Sequence, residues 1–130
     1  MYRNLIDLFK ENEGKGAVGA FNVHCFEMLP AMVRAAEELG VPVILQTSLG
    51  TARYIGFEPL IAAVKAIAEK SAVSVALHMD HCKDIDALKE AIDKGYSSVM
   101  YDGSSLSLEE NIKNTKEVVA YAHERNVSVE

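Results

Sequence analysis

The feature that most constrains the fold is a regular alternation of short apolar, β-rich segments with amphipathic helical segments. The β-rich segments recur roughly every 25–30 residues, and helical patterns separate each from the next. This alternation is typical of βαβ units, so it predicts a parallel sheet covered by helices. The predicted strands are 18–23, 41–48, 72–80, 96–102 and a fifth that begins within 126–130.

Start and stop signals bound the predicted helices. Gly40 suits the position just after the first helix, and Pro42 prevents its continuation. A later helix is predicted to start at Asp84 and stop before Gly95, and the last one opens with the capping box of Ser107–Glu110. The residues of the last helix that we expect to face the core are Leu108, Ile112, Val119 and Ala122.

Two architectures satisfy a right-handed βα alternation: an open doubly wound sheet and a (β/α)8 barrel. The sequence has no G-x-G-x-x-G or Walker pattern, but periodicity alone leaves both open. The chain ends on the strand-like segment VSVE, which would leave an unpaired sheet edge. We therefore expect residues 1–130 to be the first half of one larger domain, with four βα units and the start of a fifth strand.

Composition excludes several classes of partner. The 130 residues carry a formal net charge of -6, so no basic surface is expected for nucleic acid or anionic membranes. No apolar stretch approaches the roughly 20 residues that span a bilayer, and the start of the chain does not resemble a signal peptide. Two cysteines are too few for a disulfide scaffold, and we expect a cytoplasmic protein with Cys25 and Cys82 as small packing residues.

Polar side chains end the predicted strands, which all begin apolar. Asn22 ends the first strand, Gln46 and Ser48 end the second, and Asp102 ends the fourth. In the third strand, alternation places Val73, Val75 and Leu77 on one face and Ser74, Ala76, His78 and Asp80 on the other. Because sites assemble at the carboxyl ends of parallel strands in both architectures, a polar site is predicted at this edge.

The segment HMDHC, residues 78–82, carries the most chemistry, although each residue has an ordinary alternative. His81 could be a zinc ligand or an exposed loop histidine. Asp80 could be a general acid/base or a helix cap, and Asp102 could bind a cation or form an Asx turn before Gly103. Ser48 is a weak candidate for contact with a phosphate.

Taken together, FNVHCFE (21–27), PVILQTS (42–48), ALHMDHC (76–82), SSVMYDGSSLSLEENI (97–112) and VSVE resemble the class II, metal-dependent ketose-bisphosphate aldolases. This family includes fructose- and tagatose-bisphosphate aldolases. The resemblance implies a (β/α)8 barrel, of which this chain would be the first half. It also implies reversible cleavage of a ketose 1,6-bisphosphate to dihydroxyacetone phosphate and glyceraldehyde 3-phosphate.

The resemblance assigns roles residue by residue. It implies Zn2+ as a Lewis acid, with His81 as one ligand and Asp80 as the group that moves a proton on the C4 oxygen. Asp102 matches an aspartate that holds a second or displaced metal, and a further monovalent cation is compatible with the family. Asn22 and Ser48 match positions that line the sugar-phosphate site, and His78 is expected to orient the groups that contact the metal and the substrate. The full-length protein would be a homodimer or homotetramer.

Two departures from the family pattern matter. Several relatives carry asparagines where this chain has His24-Cys25, and Glu130 matches only the first glutamate of a V-E-x-E-L-G stretch. Two further zinc histidines and a Gly-rich phosphate loop have no match here, so we expect the chain alone to be inactive and to bind zinc weakly. Two alternatives stay open: a non-catalytic half-barrel that self-associates, and an aldolase for a deoxy-keto sugar acid phosphate.

Overall fold

A computed structural model describes all residues, 1–130, and its centre is a five-stranded parallel sheet. The strands lie side by side in chain order, β1-β2-β3-β4-β5. They are β1 (Gly19–Asn22), β2 (Val43–Thr47), β3 (Val75–Cys82), β4 (Ser98–Tyr101) and β5 (Ser128–Val129). A doubly wound sheet reverses its strand order at a switch point, whereas a barrel adds each strand on the same side. The observed order is that of successive strands in a (β/α)8 barrel.

Six helices accompany the sheet: α1 (Leu5–Glu11), α2 (Met28–Leu39), α3 (Leu49–Ile55), α4 (Phe57–Lys70), α5 (Ile85–Lys94) and α6 (Leu108–His123). The predicted caps are confirmed. Asp84 accepts a hydrogen bond from the backbone N–H of Ala87, and Ser107 and Glu110 form the reciprocal capping box. Gly40 adopts a left-handed backbone conformation with φ of 65°, which ends α2 at the predicted place.

The main core lies between the sheet and the helices on its outer face. Alternate strand residues, including Leu45, Leu77 and Val99, join fully buried helix residues such as Leu60 and Leu88 in one cluster. Each such side chain contributes about 1.5–3 kcal/mol by leaving water. Because these strand residues point toward the helices, the residues that alternate with them lie on the inner face of the sheet.

A smaller apolar cluster on the opposite, inner face confirms the predicted phase of the third strand. Here α1 packs Leu5 and Leu8 against Ile44 and Ala76, while Val75 and Leu77 belong to the outer core. The segment before α1 is tied to β3 as well, because the Val75 N–H donates to the carbonyl of Met1 at 2.8 Å. The inner face above this cluster is therefore left to polar residues.

Several details differ from the sequence-based expectations. Helices α1 and α3 were not predicted, and β3 extends through His81 and Cys82 instead of ending at Asp80. The predicted inner face of α6 was wrong in its first half, because Leu108 is 74% exposed whereas Val118 is fully buried. No helix is both long and apolar enough to cross a membrane.

Candidate active site

The carboxyl ends of β3 and β4 bring together three of the predicted site residues: Asp80, His81 and Asp102. Nδ1 of His81 lies 3.3 Å from Oδ2 of Asp102, and Nε2 of His81 lies 3.9 Å from Oδ1 of Asp80. The His81 side chain is 67% exposed, whereas the side chains of Asp80 and Asp102 are only 22% and 11% exposed. One imidazole is thus placed between two carboxylates at the mouth of the sheet.

A β-bulge explains how neighbouring residues reach the same place. On β3, Met79 pairs with Val99 and Cys82 pairs with Tyr101, so the step on β3 contains one residue more than the step on β4. Both Met79 and Cys82 belong to the outer core, which leaves Asp80 and His81 between them. Strict alternation would have turned His81 toward the helices.

The backbone of His81 carries this bulge in a left-handed conformation. Its φ is 48°, one of only two positive values at non-glycine residues in the chain. Such a conformation costs an L-residue energy, and residues of this kind cluster at functional sites. The unusual backbone therefore coincides with the residue that the family resemblance predicts to be a metal ligand.

The two carboxylate oxygens of Asp102 have different partners. The predicted Asx turn is present, whereas the alternative role of Asp102, the binding of a cation, stays a prediction. Oδ1 accepts from the Ser104 N–H at 3.1 Å and from the Ser104 hydroxyl, which is an Asx-type turn, while Oδ2 contacts His81. Hydrogen bonds from the Ser104 side chain and backbone, together with that from His81, lower the pKa of Asp102 to about 2. Asp102 is therefore a carboxylate throughout the neutral range.

Gln46 links two more predicted residues to this group. Its side-chain amide donates to Oδ2 of Asp80 at 2.9 Å and to Oδ1 of Asn22 at 3.3 Å. The sequence marked Gln46 only as a polar strand end, so its role in holding Asp80 was missed. The signal that could have found it is the register, because parallel pairing places Asn22, Gln46 and His78 in one row.

His78 lies beneath the mouth of the sheet on the inner face. Its side chain is 2% exposed, its Nδ1 is 2.8 Å from the Ser98 hydroxyl, and its Nε2 is 3.3 Å from Oε2 of Glu130. Burial lowers the pKa of His78, although the charges of Glu130 and Asp80 oppose that shift. With Gln46 and Glu130, His78 lines an open cavity of about 480 Å³ on this face.

Ser48 is not part of the hydrogen-bonded group. Its hydroxyl caps α3 by accepting from the Thr51 N–H at 3.2 Å, and it also donates to the Thr51 hydroxyl. Ser48 is exposed at the end of β2, so its predicted contact with a substrate phosphate stays a prediction.

The donors of this site fit zinc in kind but not in number. One imidazole nitrogen and two carboxylates are ligand types that zinc accepts, and a catalytic zinc takes about three protein ligands. No three His, Cys, Asp or Glu side chains of the chain come together in an arrangement that could hold a metal ion. His81 and Asp102 can therefore supply part of a metal site, but this chain does not complete one.

Comparison with known proteins identifies the family of this chain. The family model described as "Fructose-bisphosphate aldolase class-II" matches residues 4–130. The chain belongs to the class II fructose-bisphosphate aldolase family. The convergence of Asp80, His81 and Asp102 is therefore a feature of a class II aldolase family member.

Two relatives illustrate how similar other family members are. The chain is 48% identical over 120 residues to a fructose-bisphosphate aldolase of Geobacillus stearothermophilus, covering 90% of this chain and 42% of that protein. It is 47% identical over 126 residues to a 6-phospho-5-dehydro-2-deoxy-D-gluconate aldolase of Halalkalibacterium halodurans, covering 95% of this chain and 44% of that protein. The chain thus spans less than half the length of these relatives.

Solved structures of the family agree with the fold. The YdjI aldolase of Escherichia coli K12 superposes with a TM-score of 0.89 at 32% identity, over 99% of this chain and 49% of that one. The fructose-bisphosphate aldolase of Campylobacter jejuni superposes with a TM-score of 0.86 at 26% identity, over 98% of this chain and 46% of that one. The predicted fold class, a partial (β/α)8 barrel, is confirmed.

Proposed function

We propose that this chain forms the first half of a zinc-dependent (β/α)8 barrel aldolase. The reaction is reversible aldol cleavage of a ketose 1,6-bisphosphate, with the fructose or tagatose configuration, to dihydroxyacetone phosphate and glyceraldehyde 3-phosphate. The observation that carries this proposal is the bulge at His81. It gathers an imidazole and two carboxylates at the carboxyl ends of β3 and β4, where barrel enzymes place their chemistry.

Asp80 is the proposed proton carrier for the C4 oxygen of the sugar. Its Oδ2 is occupied by the amide of Gln46, which fixes the orientation of the carboxylate. Its Oδ1 accepts no hydrogen bond of this kind and faces His81 at 3.9 Å. We therefore assign proton transfer to Oδ1, since a positioned carboxylate with one free oxygen can accept and return a proton.

His81 is the proposed zinc ligand, through Nε2. The contact of its Nδ1 with Asp102 favours the tautomer in which Nδ1 carries the proton, which leaves the Nε2 lone pair free. Asp102 then acts by orienting the imidazole, and it could also hold a second or displaced metal. Bound zinc would supply Lewis acidity toward the substrate ketone oxygen. Asn22 and Ser48 remain proposed substrate contacts, at the ends of β1 and β2.

Residues 1–130 alone are proposed to be inactive and to bind zinc weakly, because the site at the ends of β3 and β4 offers one imidazole. The test is reconstitution in trans. The chain is refolded with the part of the Geobacillus stearothermophilus enzyme that follows the matched region, and assembly is checked by size. We expect zinc-dependent cleavage of fructose 1,6-bisphosphate that Asp80→Asn reduces at least ~100-fold.

Asp86→Asn, on the exposed face of α5, is the matched control and should leave the rate unchanged. An assembled, zinc-loaded complex that cleaves no ketose bisphosphate and no related phosphorylated keto acid would contradict the proposal. Full activity of Asp80→Asn in that complex would contradict the role of Asp80. Cleavage by residues 1–130 without a partner would contradict the proposed inactivity.

A second candidate substrate is a deoxy-keto sugar acid phosphate. It is favoured by the relative named 6-phospho-5-dehydro-2-deoxy-D-gluconate aldolase, which is as similar to the chain as the fructose-bisphosphate aldolase is. The two substrates differ in the half that cleavage releases as the aldehyde. The ratio of kcat/KM for them in the assembled complex decides between the candidates.

We further propose that the full-length protein works in the cytoplasm as a homodimer or homotetramer. The alternative, in which the isolated chain pairs with a second copy through its sheet edges, rests on the free outer edges of β1 and β5. Light scattering of residues 1–130 separates the two, since a monodisperse dimer would favour the alternative.

A further inference from the structure

A row of polar residues crosses the inner face of the sheet directly beneath the proposed site. Parallel pairing aligns one residue from each strand, and the five are Asn22, Gln46, His78, Ser98 and Ser128. The layer below contains apolar residues such as Ile44 and Ala76. Barrel interiors are usually filled by bulky apolar side chains, so a complete polar row is unusual there.

Within this row, the side chains on the two strands after β3 are small, and they leave room for the imidazole of His78. The next two strands contribute Ser98 and Ser128 at the same level, and both are buried. The imidazole therefore extends past β4 and brings Nε2 to 3.3 Å from Oε2 of Glu130, which directly follows β5. The contact connects two strands that are not neighbours in the sheet.

The two ring nitrogens of His78 have different surroundings. Nδ1 makes a 2.8 Å contact with the Ser98 hydroxyl, whereas Nε2 is buried and has no well-aligned hydrogen bond. A buried polar nitrogen of this kind requires a partner. Glu130 is the partner within reach, and its side chain is 63% exposed, so a small rotation can align it.

We infer that His78 is a positioning residue that fixes Glu130 through a relay from Ser98 to His78 to Glu130. A hydroxyl can donate or accept, whereas a carboxylate can only accept. The relay therefore has one consistent direction: the Ser98 hydroxyl donates to Nδ1, and Nε2–H donates to the Glu130 carboxylate. Burial, which lowers the pKa of His78, favours the neutral ring that this arrangement needs.

The relay also bears on the proposed function, and its consequence for catalysis rests on that function. His78 and Asp80 lie on the same face of β3, two residues apart. Holding Glu130 against His78 therefore sets the position of the carboxyl end of β5 relative to the proposed proton carrier. A histidine that merely filled the core would not depend on Glu130 for its protonation site.

The test is the tautomer of His78, read from long-range 1H–15N spectra of residues 1–130 in metal-free buffer above pH 7. The chain has four histidines, so substitution of each in turn assigns the signals. We expect a single Nε2–H tautomer in the wild type, retained in Ser98→Ala. In Glu130→Ala we expect both tautomers, while Glu124→Ala, an exposed glutamate just after α6, changes nothing.

An Nδ1–H tautomer in the wild type, or a wild-type pattern in Glu130→Ala, would overturn the relay. Since Glu130 is exposed, its substitution keeps the fold, and far-UV circular dichroism verifies this. The measurement needs neither zinc nor substrate. Failure of the relay is therefore distinguishable from failure of the aldolase proposal.

Discussion

The left-handed backbone at His81 can be tested by substitutions that differ only in how well they tolerate it. Replacing His81 with Gly, Asn, Ala or Val removes the contact with Asp102 in every case. The side chain is 67% exposed, so little packing is lost. Differences in unfolding free energy among the four variants therefore report the backbone conformation.

The expected magnitudes follow from the φ of 48° at this position. A left-handed conformation costs an ordinary L-residue about 1–2 kcal/mol. Glycine escapes that cost but loses about 0.5–1 kcal/mol relative to alanine through its greater chain entropy when unfolded. The Gly variant should then be more stable than the Ala variant by roughly 0–1.5 kcal/mol, with Asn between them and β-branched Val the least stable.

The assay is urea unfolding followed by far-UV circular dichroism, because the chain has no tryptophan. His123, an exposed residue in the last turn of α6, provides the matched series. The backbone at position 123 is helical, so the Ala variant should be more stable than the Gly variant by about 1 kcal/mol. If Ala is also the more stable variant at position 81, the backbone there is not left-handed and the bulge is not the cause of the site.

Two further predictions concern buried polar groups. The hydroxyls of Thr47 and Tyr96 are 2.7 Å apart in the core, so Thr47→Val and Tyr96→Phe should each cost about 1–3 kcal/mol, while the double variant should cost less than their sum. Strict additivity in urea unfolding would show that the two hydroxyls are not paired. Burial lowers the pKa of His78 and Glu130 raises it, so the NMR titration of His78 should have its midpoint below about 6.5 and should move lower still in Glu130→Gln. The folded state then resists protonation of His78, so this histidine lowers the free energy of unfolding as the pH falls below about 6.5. An upward shift of the His78 pKa in Glu130→Gln would contradict the contact between His78 and the Glu130 carboxylate.

Much of the fold could be predicted from local chemistry. The βα alternation, the capping box at Ser107 and the left-handed Gly40 each depend on a few adjacent residues, and the structure confirms them. Helices α1 and α3 were missed because each has only seven residues, too few for a helical period to stand out. Their stability comes from contacts such as those of Leu8 with the inner face of the sheet.

The error in α6 has a local cause. The first half of the helix turns polar side chains toward the sheet, because Asn114 donates to the hydroxyl of Tyr101, the last residue of β4, at 2.8 Å. Asn111 and Thr115 are also half-buried, whereas Leu108 stays exposed although it fits the apolar period. An apolar period therefore predicts the wrong face where polar side chains make the contact with the sheet.

The candidate site was only partly predictable for a similar reason. Alternation correctly placed His78 and Asp80 on the inner face, but it would have turned His81 outward. The bulge that corrects this depends on pairing between β3 and β4, which no local pattern shows. The hydrogen bond from Gln46 to Asp80 likewise depends on register, so it became visible only in three dimensions.

We propose above that His81 and Asp80 share one metal-dependent site at the mouth of the barrel. The most direct test is a crystal structure of the reconstituted, zinc-loaded barrel, with the metal located by anomalous scattering at the zinc edge. We expect a zinc ion about 2.0–2.1 Å from Nε2 of His81, with the Asp80 carboxylate on the same side of the sheet. A zinc ion bound elsewhere, or His81 packed against the outer helices, would contradict it.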